Sequence, residues 1–394
     1  MSENLPLSGL RVVEFTHMVM GPTVGAILAS LGAEVIRVEP IGGDRTRNLV
    51  GSGSGYFPMY NRHKSSICLD LKSEKGLEIA KKLADQSDIL VENYRPGAME
   101  RLGLGYGALS DSNERLIYCS EKGFLPGPYE KRTALDEVAQ MMGGLAYMTG
   151  PPGKPLRAGS SVIDVTGGMF GVIGILAAVE QRHRTGKGQL VQSSLFETTI
   201  YLIGQHMAQM AVTGQAAKPM PVRVSAWAVY DVFETRDDPI FVGVVTDALW
   251  EKFCALFGLD ALWADETLRE NNARVAARDQ IIPVVQALMK SMTRDEIVAK
   301  LDGSGLPFAP IGKPEEMFDD PHLLASGGLE SATLNNGEEI QLPTLPLEMD
   351  GERLTKSATL SQIGEDSSVI LGELGYNADQ IAQLEADGVT QTAS

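Results

Sequence analysis

The first 125 residues alternate short β-rich runs with longer helical patterns, and this alternation constrains the fold more than any other feature. Such alternation is typical of a parallel sheet covered by crossover helices. Between the third and fourth runs, Leu77, Ala80 and Leu83 lie on one stripe, as in an amphipathic helix. We therefore predict an α/β fold with a doubly wound parallel sheet, whose strands are Leu10–Phe15, Glu34–Glu39, Ser66–Leu71, Asp88–Glu92 and Leu116–Cys119.

At 394 residues the chain is too long for one ordinary core, because single cores rarely exceed about 250–300 residues. The pattern from residue 136 to about 210 is mostly helical. Farther along, strand-like runs are followed by helices, which predicts a smaller α+β domain. The predicted order is a large domain over 1–210, a polar linker over 211–225, a small domain over 226–328 and a return segment over 329–394 that completes the large domain.

The formal net charge of −17 argues against a nucleic-acid-binding protein, because binding to phosphate backbones needs a broad basic surface. Cys68, Cys119 and Cys254 form an odd set without metal-ligand spacing, so we expect neither a disulfide framework nor a metal site. The first residues lack the features of a signal peptide. We expect a cytoplasmic protein.

Two long uncharged stretches bear on membrane association. The first, Val165–Val179, is shorter than the roughly 20 apolar residues that span a bilayer, and the second, Thr198–Ala217, is interrupted by polar side chains. Both predict packed core helices, and we expect no membrane association. Disorder is expected only near the ends, such as residues 386–394.

The segment Phe15–Glu39 has the strand, glycines, helix and acidic strand end of a dinucleotide site. The fingerprint itself is missing, because G-x-G-x-x-G should stand at the first turn, whereas Gly21 and Gly25 come several residues late. No G-x-x-x-x-G-K-[ST] motif occurs either. The sequence therefore favours neither a nicotinamide cofactor nor a nucleotide phosphate loop.

Basic residues cluster where the predicted strands end. Lys72, Arg95 and Lys122 each lie at or just past a strand end, and in doubly wound sheets ligands bind beyond the carboxyl ends of the strands. These cations could converge on a polyanion. Each of them alone could equally be a solvated surface charge. Further members of the basic set are Arg62, His63, Lys64 and Arg101.

Asp136 follows a loop and opens a helical run that leads to the pair Gly143 and Gly144. Spacing alone favours a helix N-cap, for which Asp is a preferred residue. The same position would suit a reactive carboxylate, since helix-terminal N–H groups keep it ionised. The local pattern leaves both roles open.

Several ordered motifs together resemble the class III CoA-transferases, the family of formyl-CoA transferase and carnitine CoA-transferase. The likeness covers nearly the whole chain and is densest over residues 8–200. The motifs that carry it are Leu7-Ser-Gly-Leu-Arg-Val-Val-Glu-Phe, Gly21-Pro, Leu31-Gly-Ala-Glu-Val-Ile-Arg-Val-Glu, Gly43-Asp-Arg, Asn61-Arg-His-Lys-Ser, Leu69-Asp-Leu-Lys, Glu92-Asn-Tyr-Arg-Pro-Gly-Ala-Met-Glu-Arg-Leu-Gly, Leu135-Asp-Glu-Val-Ala-Gln and Arg184-Thr-Gly-Lys-Gly-Gln.

The resemblance implies a CoA-transferase in which Asp136 is the nucleophile, and it implies a homodimer of two interlocked rings. Two departures concern the active site: Val19 stands where the matched family example has Gln, and no glycine-rich loop is evident near 219–227. The CoA contacts that the resemblance implies are His17, Lys72, Asn93, Tyr94, Arg95, Ala98, Arg101 and Lys122.

The implied reaction moves CoA from an acyl-CoA thioester to a free carboxylic acid, through aspartyl anhydride and aspartyl-CoA thioester intermediates. Exchange between carboxylates preserves the thioester free energy, so neither ATP nor a tightly bound cofactor is needed. Backbone N–H groups near Gly143 and Gly144 are candidate oxyanion donors. Because Arg binds carboxylates in a bidentate manner, Arg157 and Arg223 are candidate contacts for a small dicarboxylate of the succinate, itaconate or mesaconate type.

Two other functions compete with transfer. An acyl-CoA racemase of the same fold needs a second base. The racemases of this family carry His directly before the equivalent aspartate, where this chain has Leu135. A non-catalytic CoA-binding protein would not need Asp136.

Overall fold

In the computed structural model of the chain, residues 5–223, 225–334, 336–354 and 358–393 are described. The chain divides into two compact units: the first comprises Met1–Pro221 and Pro321–Ser394, and the second comprises Val222–Asp320. The predicted linker, 211–225, starts within the last turn of a helix that ends at Thr213, and the second unit ends before residue 328. The first unit is therefore built from two stretches of chain that are far apart in sequence.

The strands, in chain order, are β1 (Arg11–Phe15), β2 (Glu34–Glu39), β3 (Ser65–Leu69), β4 (Ile89–Glu92), β5 (Ile117–Lys122), β6 (Leu190–Ser194), β7 (Tyr230–Phe233), β8 (Ile240–Gly243), β9 (Phe308–Pro310), β10 (Leu329–Thr333), β11 (Glu339–Pro343), β12 (Glu348–Met349), β13 (Glu352–Arg353), β14 (Ala358–Thr359) and β15 (Thr390–Gln391).

The α-helices are α1 (Met20–Ser30), α2 (Tyr56–Asn61), α3 (Glu74–Asp85), α4 (Ala98–Arg101), α5 (Tyr106–Ser112), α6 (Asp136–Met142), α7 (Leu145–Thr149), α8 (Val162–Thr185), α9 (Leu195–Leu202), α10 (Gly204–Thr213), α11 (Asp247–Phe257), α12 (Asp260–Ala264), α13 (Asn271–Ala276), α14 (Arg278–Lys290), α15 (Arg294–Leu301), α16 (Pro321–Ala325), α17 (Ser367–Glu373) and α18 (Ala378–Ala386).

Seven strands form the main sheet of the first unit, in the order β15-β3-β2-β1-β4-β5-β6. All neighbouring pairs are parallel except β15 with β3. The predicted α/β fold with a large parallel-sheet core is confirmed. The chain builds outward from β1 in one direction and then from β4 in the other, so the strand order reverses between β1 and β4. In such sheets that reversal leaves a crevice at the carboxyl ends of the strands, where ligands bind.

Both faces of the sheet are covered, which explains the nearly continuous apolar strands. Successive residues of β1 point to opposite faces. Val12 packs in a core with Val24 of α1 and Val172 of α8. On the other face, Val13 packs in a core with Ile79 of α3, so the helices lie on both sides of the sheet.

Two strands of this sheet were not predicted. β6 lies in the region expected to be mostly helical; it is a partly exposed edge strand with polar residues, so it lacks the apolar signature of the inner strands. β15 lies in the segment expected to be disordered, and that expectation was wrong. The Thr390 hydroxyl donates to the Cys68 carbonyl at 2.7 Å, and the Asp70 amide donates to the Val389 carbonyl at 2.9 Å.

The second unit has strands followed by helices, the arrangement that the pattern over 226–301 indicated. Its antiparallel sheet has the order β7-β8-β9. The core packs strand residues such as Ile240 and Val242 against Trp250 and Phe253 of α11 and Ile281 of α14. It is a small α+β unit with a core of its own.

A network of buried charges lies under the carboxyl ends of β1 and β2. The Lys64 ammonium donates to Glu14 at 2.8 Å and to the Pro22 carbonyl at 2.9 Å, and burial lowers the Lys64 pKa to about 8. Arg37 donates to Asp44 and also contacts Glu14 at 3.5 Å. Because charges buried without partners cost several kcal/mol each, this pairing fixes the strand ends and the loop after β2 in one arrangement.

Three glycines let helix α8 approach its neighbours closely. A Cβ at Gly167 would overlap Met20, a Cβ at Gly168 would overlap Thr23 and the Met20 carbonyl, and a Cβ at Gly171 would overlap Glu121. At Gly168 only glycine fits without displacing the backbone of α1, whereas at Gly167 and Gly171 the ends of the Met20 and Glu121 side chains would have to move. The N-terminus of α8 is therefore held close to the start of α1.

Helix α8 is also longer than the predicted apolar stretch Val165–Val179, because three residues before it and six polar residues after it belong to the same helix of 24 residues. By length and composition alone it could cross a membrane. One stripe of the helix, including Ile163, Val172 and Ile175, is buried in the unit's core. The opposite stripe leaves Met169 and Ile173 about half exposed.

Glu121 of β5 is buried between the sheet and α8, with only 2% of its surface exposed. Burial raises its pKa to about 8, against a weaker opposing effect of the Cys119 thiol, which lies 3.2 Å from Oε1. The other carboxyl oxygen, Oε2, has no hydrogen-bond partner among the described residues. At neutral pH the folded protein therefore keeps this carboxyl protonated.

This burial predicts a pH-dependent loss of stability. Since the folded pKa of Glu121 lies above the unfolded value, the folded state binds the extra proton, and stability falls as pH rises from about 4.5 through about 8. Glu121→Gln stays neutral throughout, so its Tm should exceed that of the wild type by several degrees at pH 8.5, with a much smaller gap at pH 5; the underlying difference is roughly 3–4 kcal/mol. The measurement is thermal unfolding across this pH range.

The matched control is Glu251→Gln, which removes the same charge from an exposed position on α11. Its unfolding curve should run parallel to that of the wild type at every pH. A Glu121→Gln curve that also runs parallel would show that Glu121 is ionised in the folded protein at pH 5 as well as at pH 8.5.

Candidate active site

The crevice between β1 and β4 is bridged by a pair of reciprocal hydrogen bonds. The Asn93 Oδ1 accepts from the His17 amide at 3.0 Å, and the Asn93 Nδ2 donates to the His17 carbonyl at 2.8 Å. The His17 ring stacks on the Tyr94 ring, with 5.6 Å between their centroids. Desolvation lowers the His17 pKa, which favours the neutral imidazole. The loop after β1 thus carries an aromatic platform into the crevice.

Met18, the next residue, adopts a left-handed backbone conformation with φ of 64°. Such a conformation is uncommon for a non-glycine residue and persists only where the surroundings hold it. Here the Met18 amide donates to the Thr46 hydroxyl at 3.3 Å. This turn directs the chain from the crevice into α1.

Two adjacent cavities, of about 710 and 520 Å³, lie at the carboxyl ends of the strands. Both are lined by Val38, Pro40, Tyr94, Ala98 and Arg101, so they share a wall. We call the combined space the strand-end groove. Of the eight predicted CoA contacts, the groove is lined by six, namely His17, Lys72, Tyr94, Arg95, Ala98 and Arg101.

Four cations line this groove: Arg45, Lys72, Arg95 and Arg101. All four are exposed, and none has a carboxylate within ion-pair distance in the described part of the chain. Arg45 stands in the motif Gly43-Asp-Arg but was not predicted to contact CoA. Its position could have indicated this, because it follows the end of β2 by six residues, and Lys72 follows the end of β3 by three. The groove therefore concentrates positive charge on a strongly acidic protein.

The other predicted contacts have structural partners instead. Asn93 clamps the His17 loop, and the Lys122 ammonium pairs with Glu92 at 2.6 Å; neither residue lines the two groove cavities. From the basic set, Arg62 forms a buried pair with Glu330 at 2.8 Å and Lys64 belongs to the buried network. Sequence alone could not separate these buried, paired cations from the exposed, unpaired ones.

Asp136 is the first residue of α6 and is 4% exposed. The N-cap residue of α6 is Leu135, so the interpretation that Asp136 caps its own helix was wrong. The Asp136 Oδ2 instead accepts from the amides of Ile163 and Asp164, at 2.9 and 3.1 Å, in the first turn of α8. Oδ1 accepts from the Gln140 side chain at 2.5 Å. One carboxylate therefore joins the N-termini of two helices, where the helix dipoles stabilise negative charge.

Gly143 and Gly144 lie at the far end of α6. The Gly143 amide donates to the Ala139 carbonyl at 2.8 Å, so it is already used within the helix, and a Cβ at Gly143 would overlap Thr199. Gly144 has a φ of 89° and is the N-cap residue of α7. These geometries explain the glycines by packing and turn formation, and they give no support to Gly143 as an oxyanion donor.

Arg157 lies beside Asp136. Its Nη2 is 3.6 Å from the Asp136 Oδ1 and 3.2 Å from the Ser160 carbonyl, and its Nη1 pairs with Glu137. The guanidinium also lines a third cavity of about 690 Å³, together with Tyr56, Tyr60, Ser160 and Ser161. The other predicted substrate cation, Arg223, belongs to the second unit and lines none of the three cavities described.

Asp164 was missed from the sequence. It is half-buried in the first turn of α8, and burial together with the charges of Asp136 and Glu137 raises its pKa to about 7. Tyr60 is close enough for the Asp164 charge to raise the Tyr60 pKa further, beyond the effect of burial. No local motif marks Asp164, since its proximity to Asp136 depends on the packing of two helices.

Met20 connects the strand-end groove to the Asp136 region. This residue opens α1 directly after the His17 loop and packs in one small core with Ala139 of α6, Ile163 of α8 and Leu195 of α9. The loop that lines the groove with His17 and Met18 thus leads directly to Met20, which packs against the two helices that hold Asp136. Such an arrangement suits an extended anionic ligand whose reactive end reaches Asp136.

Comparison with known proteins agrees with this geometry. Residues 7–367 match the model of CoA-transferase family III. The chain is 30% identical to the succinyl-CoA:glutarate CoA-transferase of Mus musculus, over 98% of this chain and 90% of that protein, and 35% identical to the acetyl-CoA:oxalate CoA-transferase of Acetobacter aceti, over 82% and 87%.

Among solved structures, a CAIB/BAIF family protein from Brucella suis superimposes with a TM-score of 0.84 and 32% identity, over 94% of this chain and all of that one. The family match covers nearly the whole chain, and the relatives include enzymes that act on acyl-CoA. This chain therefore belongs to CoA-transferase family III and is an enzyme that transfers CoA from an acyl-CoA thioester to a carboxylic acid.

Proposed function

We propose that this enzyme transfers CoA to a small dicarboxylic acid, with Asp136 as the covalent nucleophile. The observation that carries the proposal is the buried Asp136 carboxylate, held by two backbone amides of α8, in a chain whose cationic groove is lined by the loop that leads to Met20. Glutarate and oxalate, named for the two relatives above, are both dicarboxylates. Arg157 offers a cation for the acid, because it lies between Asp136 and the third cavity.

Coenzyme A would bind in the strand-end groove. Its phosphates carry several negative charges, and Arg45, Lys72, Arg95 and Arg101 supply unpaired cations along the groove. The apolar and aromatic part of the lining, such as Leu69, Ile41 and Tyr94, suits the adenine ring. CoA enters and leaves as a substrate, and we propose that the enzyme has no other tightly bound cofactor.

The hydrogen bonds of Asp136 assign different tasks to its two oxygens. Oδ2 accepts two backbone amides, whereas Oδ1 accepts one close donor, from Gln140, and so keeps a lone pair available. Oδ1 would attack the thioester carbonyl and form the mixed anhydride. Oδ2 then becomes the aspartyl carbonyl oxygen.

The next step places charge on Oδ2. When the CoA sulfur attacks the aspartyl carbonyl carbon, negative charge develops on Oδ2, which already lies 2.9 and 3.1 Å from the amides of Ile163 and Asp164. Preorganised donors at this distance stabilise developing oxyanions. We therefore propose the α8 amides as the oxyanion donors, in place of Gly143 and Gly144.

We further propose that the enzyme works as the interlocked homodimer implied by the family resemblance. Large apolar side chains of α8, α9 and α10 are exposed in the single chain, and α10 has no buried residue. Exposed apolar surface of this kind commonly marks a protein interface. The exposed set includes Met169, Ile173, Tyr201, Met207 and Met210.

We also propose that the enzyme is located in the cytoplasm and does not associate with membranes.

Replacement of Asp136 tests the covalent mechanism. Asp136→Asn and Asp136→Ala should both lower the exchange of a labelled acid into its own CoA ester by roughly 10³-fold or more, since neither variant can form the anhydride. The assay pairs succinyl-CoA with labelled succinate, then extends to glutarate and oxalate. Hydroxylamine should convert Asp136 to a hydroxamate in the wild type alone, because it attacks the aspartyl carbonyl of the intermediate and releases the bound acid or CoA.

Folding controls accompany this test. Asp136→Asn retains an oxygen acceptor for the α8 amides, so its Tm should lie closer to that of the wild type than the Tm of Asp136→Ala, which loses a capping interaction of about 1–2 kcal/mol. Both variants should still bind CoA. Label exchange at near-normal rate in either variant would exclude Asp136 as the nucleophile, and deuterium uptake at an acyl α-carbon without label exchange would favour a racemase.

The groove cations provide a separate test of where CoA binds. Lys72→Ala and Arg101→Ala should each weaken CoA binding by about tenfold at low salt, because each removes one charge-assisted phosphate contact. Added salt should weaken wild-type binding too and reduce the difference. Titration calorimetry measures both effects. Lys300→Ala, an exposed lysine of α15 in the second unit, is the matched control and should bind like the wild type. Unchanged affinity in both groove variants would place CoA elsewhere.

A further inference from the structure

We propose that Asp164 gives a proton to the CoA sulfur when Asp136 is acylated and takes it back when the sulfur attacks the aspartyl carbonyl. This inference rests on the proposed role of Asp136 and adds a second catalytic residue. It starts from the hydrogen bond that joins the two residues, in which the Asp164 amide donates to the Asp136 Oδ2 at 3.1 Å.

Asp164 lies in the turn of α8 that binds Asp136, and the charges of the two side chains act on each other. The thioester carbonyl carbon must come within about 3–3.5 Å of the attacking Asp136 oxygen. The CoA sulfur is one bond farther on. Asp164 adjoins the third cavity through Tyr60 and through Ser161, which lies one turn earlier at the start of α8.

The Asp164 side chain has no structural task that would occupy its oxygens. Within the described residues it forms neither an ion pair nor a side-chain hydrogen bond, although it is half-buried. The nearby guanidinium of Arg157 is engaged by Glu137 and by the Ser160 carbonyl. A half-buried carboxyl without partners, next to a nucleophile, is available to carry a proton.

The electrostatic surroundings favour the protonated form before the reaction. The charged and titratable groups that act on Asp164 are Asp136 and Glu137 of α6 and Arg157, and Asp164 in turn acts on Tyr60 of α2. Burial and the two carboxylates raise the Asp164 pKa to about 7, whereas the Arg157 charge lowers it. A CoA thiol is comparable to an ordinary thiol with a pKa of about 8.5, and such a small difference allows proton transfer in both directions.

The proton transfer balances the chemistry of each step. In the first, Oδ1 of Asp136 bonds to the acyl carbon, the carbon–sulfur bond breaks, and the Asp164 proton moves to sulfur; the products are the anhydride, the CoA thiol and the Asp164 carboxylate. In the second, the thiol proton returns to Asp164 while sulfur bonds to the aspartyl carbon and the donor acid leaves as its carboxylate. The acceptor carboxylate then attacks the aspartyl-CoA thioester, and the two steps occur in reverse order with the acceptor in place of the donor acid.

The pair also keeps its charge constant. Before acylation Asp136 is negative and Asp164 is neutral; afterwards Asp136 is an uncharged anhydride and Asp164 is negative. One negative charge thus moves between neighbouring side chains while Arg157 stays in place. Acylation of Asp136 also removes a charge that raises the Asp164 pKa, so Asp164 becomes a stronger acid at the step in which it donates.

A selenium analogue of CoA tests this proposal. A selenol is much more acidic than a thiol, so a selenoester can release its leaving group without a proton donor. In single-turnover reactions Asp164→Asn should slow acyl transfer to Asp136 by about 100-fold with the CoA thioester and by less than about tenfold with the selenoester. Equal losses with the two esters, or no loss with the thioester, would overturn the proposal, because a merely structural residue does not distinguish the leaving atoms.

The wild-type protein offers a test that is independent of any variant's folding. Because the proton-donating form of Asp164 is lost as pH rises through about 7, the rate of CoA release from the thioester should fall over that interval, while release from the selenoester should stay flat. A shared decline for both esters would contradict the proposal. The matched control variant is Asp279→Asn, an exposed aspartate in the first turn of α14, which should react with both esters like the wild type.

The two proposals can fail separately. If Asp136→Asn still exchanges label, the covalent mechanism fails and the role of Asp164 fails with it. If Asp136→Asn is inactive but Asp164→Asn slows both esters equally, only the role of Asp164 is excluded.

Discussion

The close approach of α8 to α1 and β5 is the constraint on which the active-site geometry depends. Gly167, Gly168 and Gly171 remove the side chains that would keep these elements apart. The N-terminus of α8 then reaches Asp136 of α6, and the amides of its first turn bind the carboxylate. Displacement of α8 by the width of a methyl group would lengthen these hydrogen bonds. The hydrogen bonds of Asp136 are thus set by packing in the interior, between the sheet and its helices.

The sequence was most informative where periodicity and strand ends determine position. Five strands of the main sheet were predicted within a few residues, because their apolar runs alternate with amphipathic helices such as α3. Residues just past strand ends, such as Lys72 and Tyr94, reached the groove for the same reason: parallel strands end at one edge of a sheet. The family resemblance pointed to Asp136, which spacing alone would have assigned to a cap.

Interactions between residues distant in sequence explain what was missed. The partners of Asp136 on α8 come 27 and 28 positions later, and no pattern within α6 announces them. Asp164 is an acid in the first turn of a helix, a common position, and only the packing of α8 on α6 places it beside Asp136. Lys122 and Arg101 look alike in sequence, yet Lys122 is paired with Glu92 and Arg101 is unpaired among the described residues. The sequence shows which residues are charged, but only the folded structure shows which charges are paired.

The connection between β3 and β15 has a consequence for how the protein is synthesised. The β3 edge of the sheet is covered by residues that follow it by more than three hundred positions, and the whole of the second unit is translated in between. During synthesis domains generally fold in order as they emerge. The second unit can therefore complete its core on the ribosome while β3 still exposes unpaired amides and carbonyls, the kind of edge that recruits strands from other chains. This edge of the sheet is therefore closed only after residues 389–391 have been synthesised.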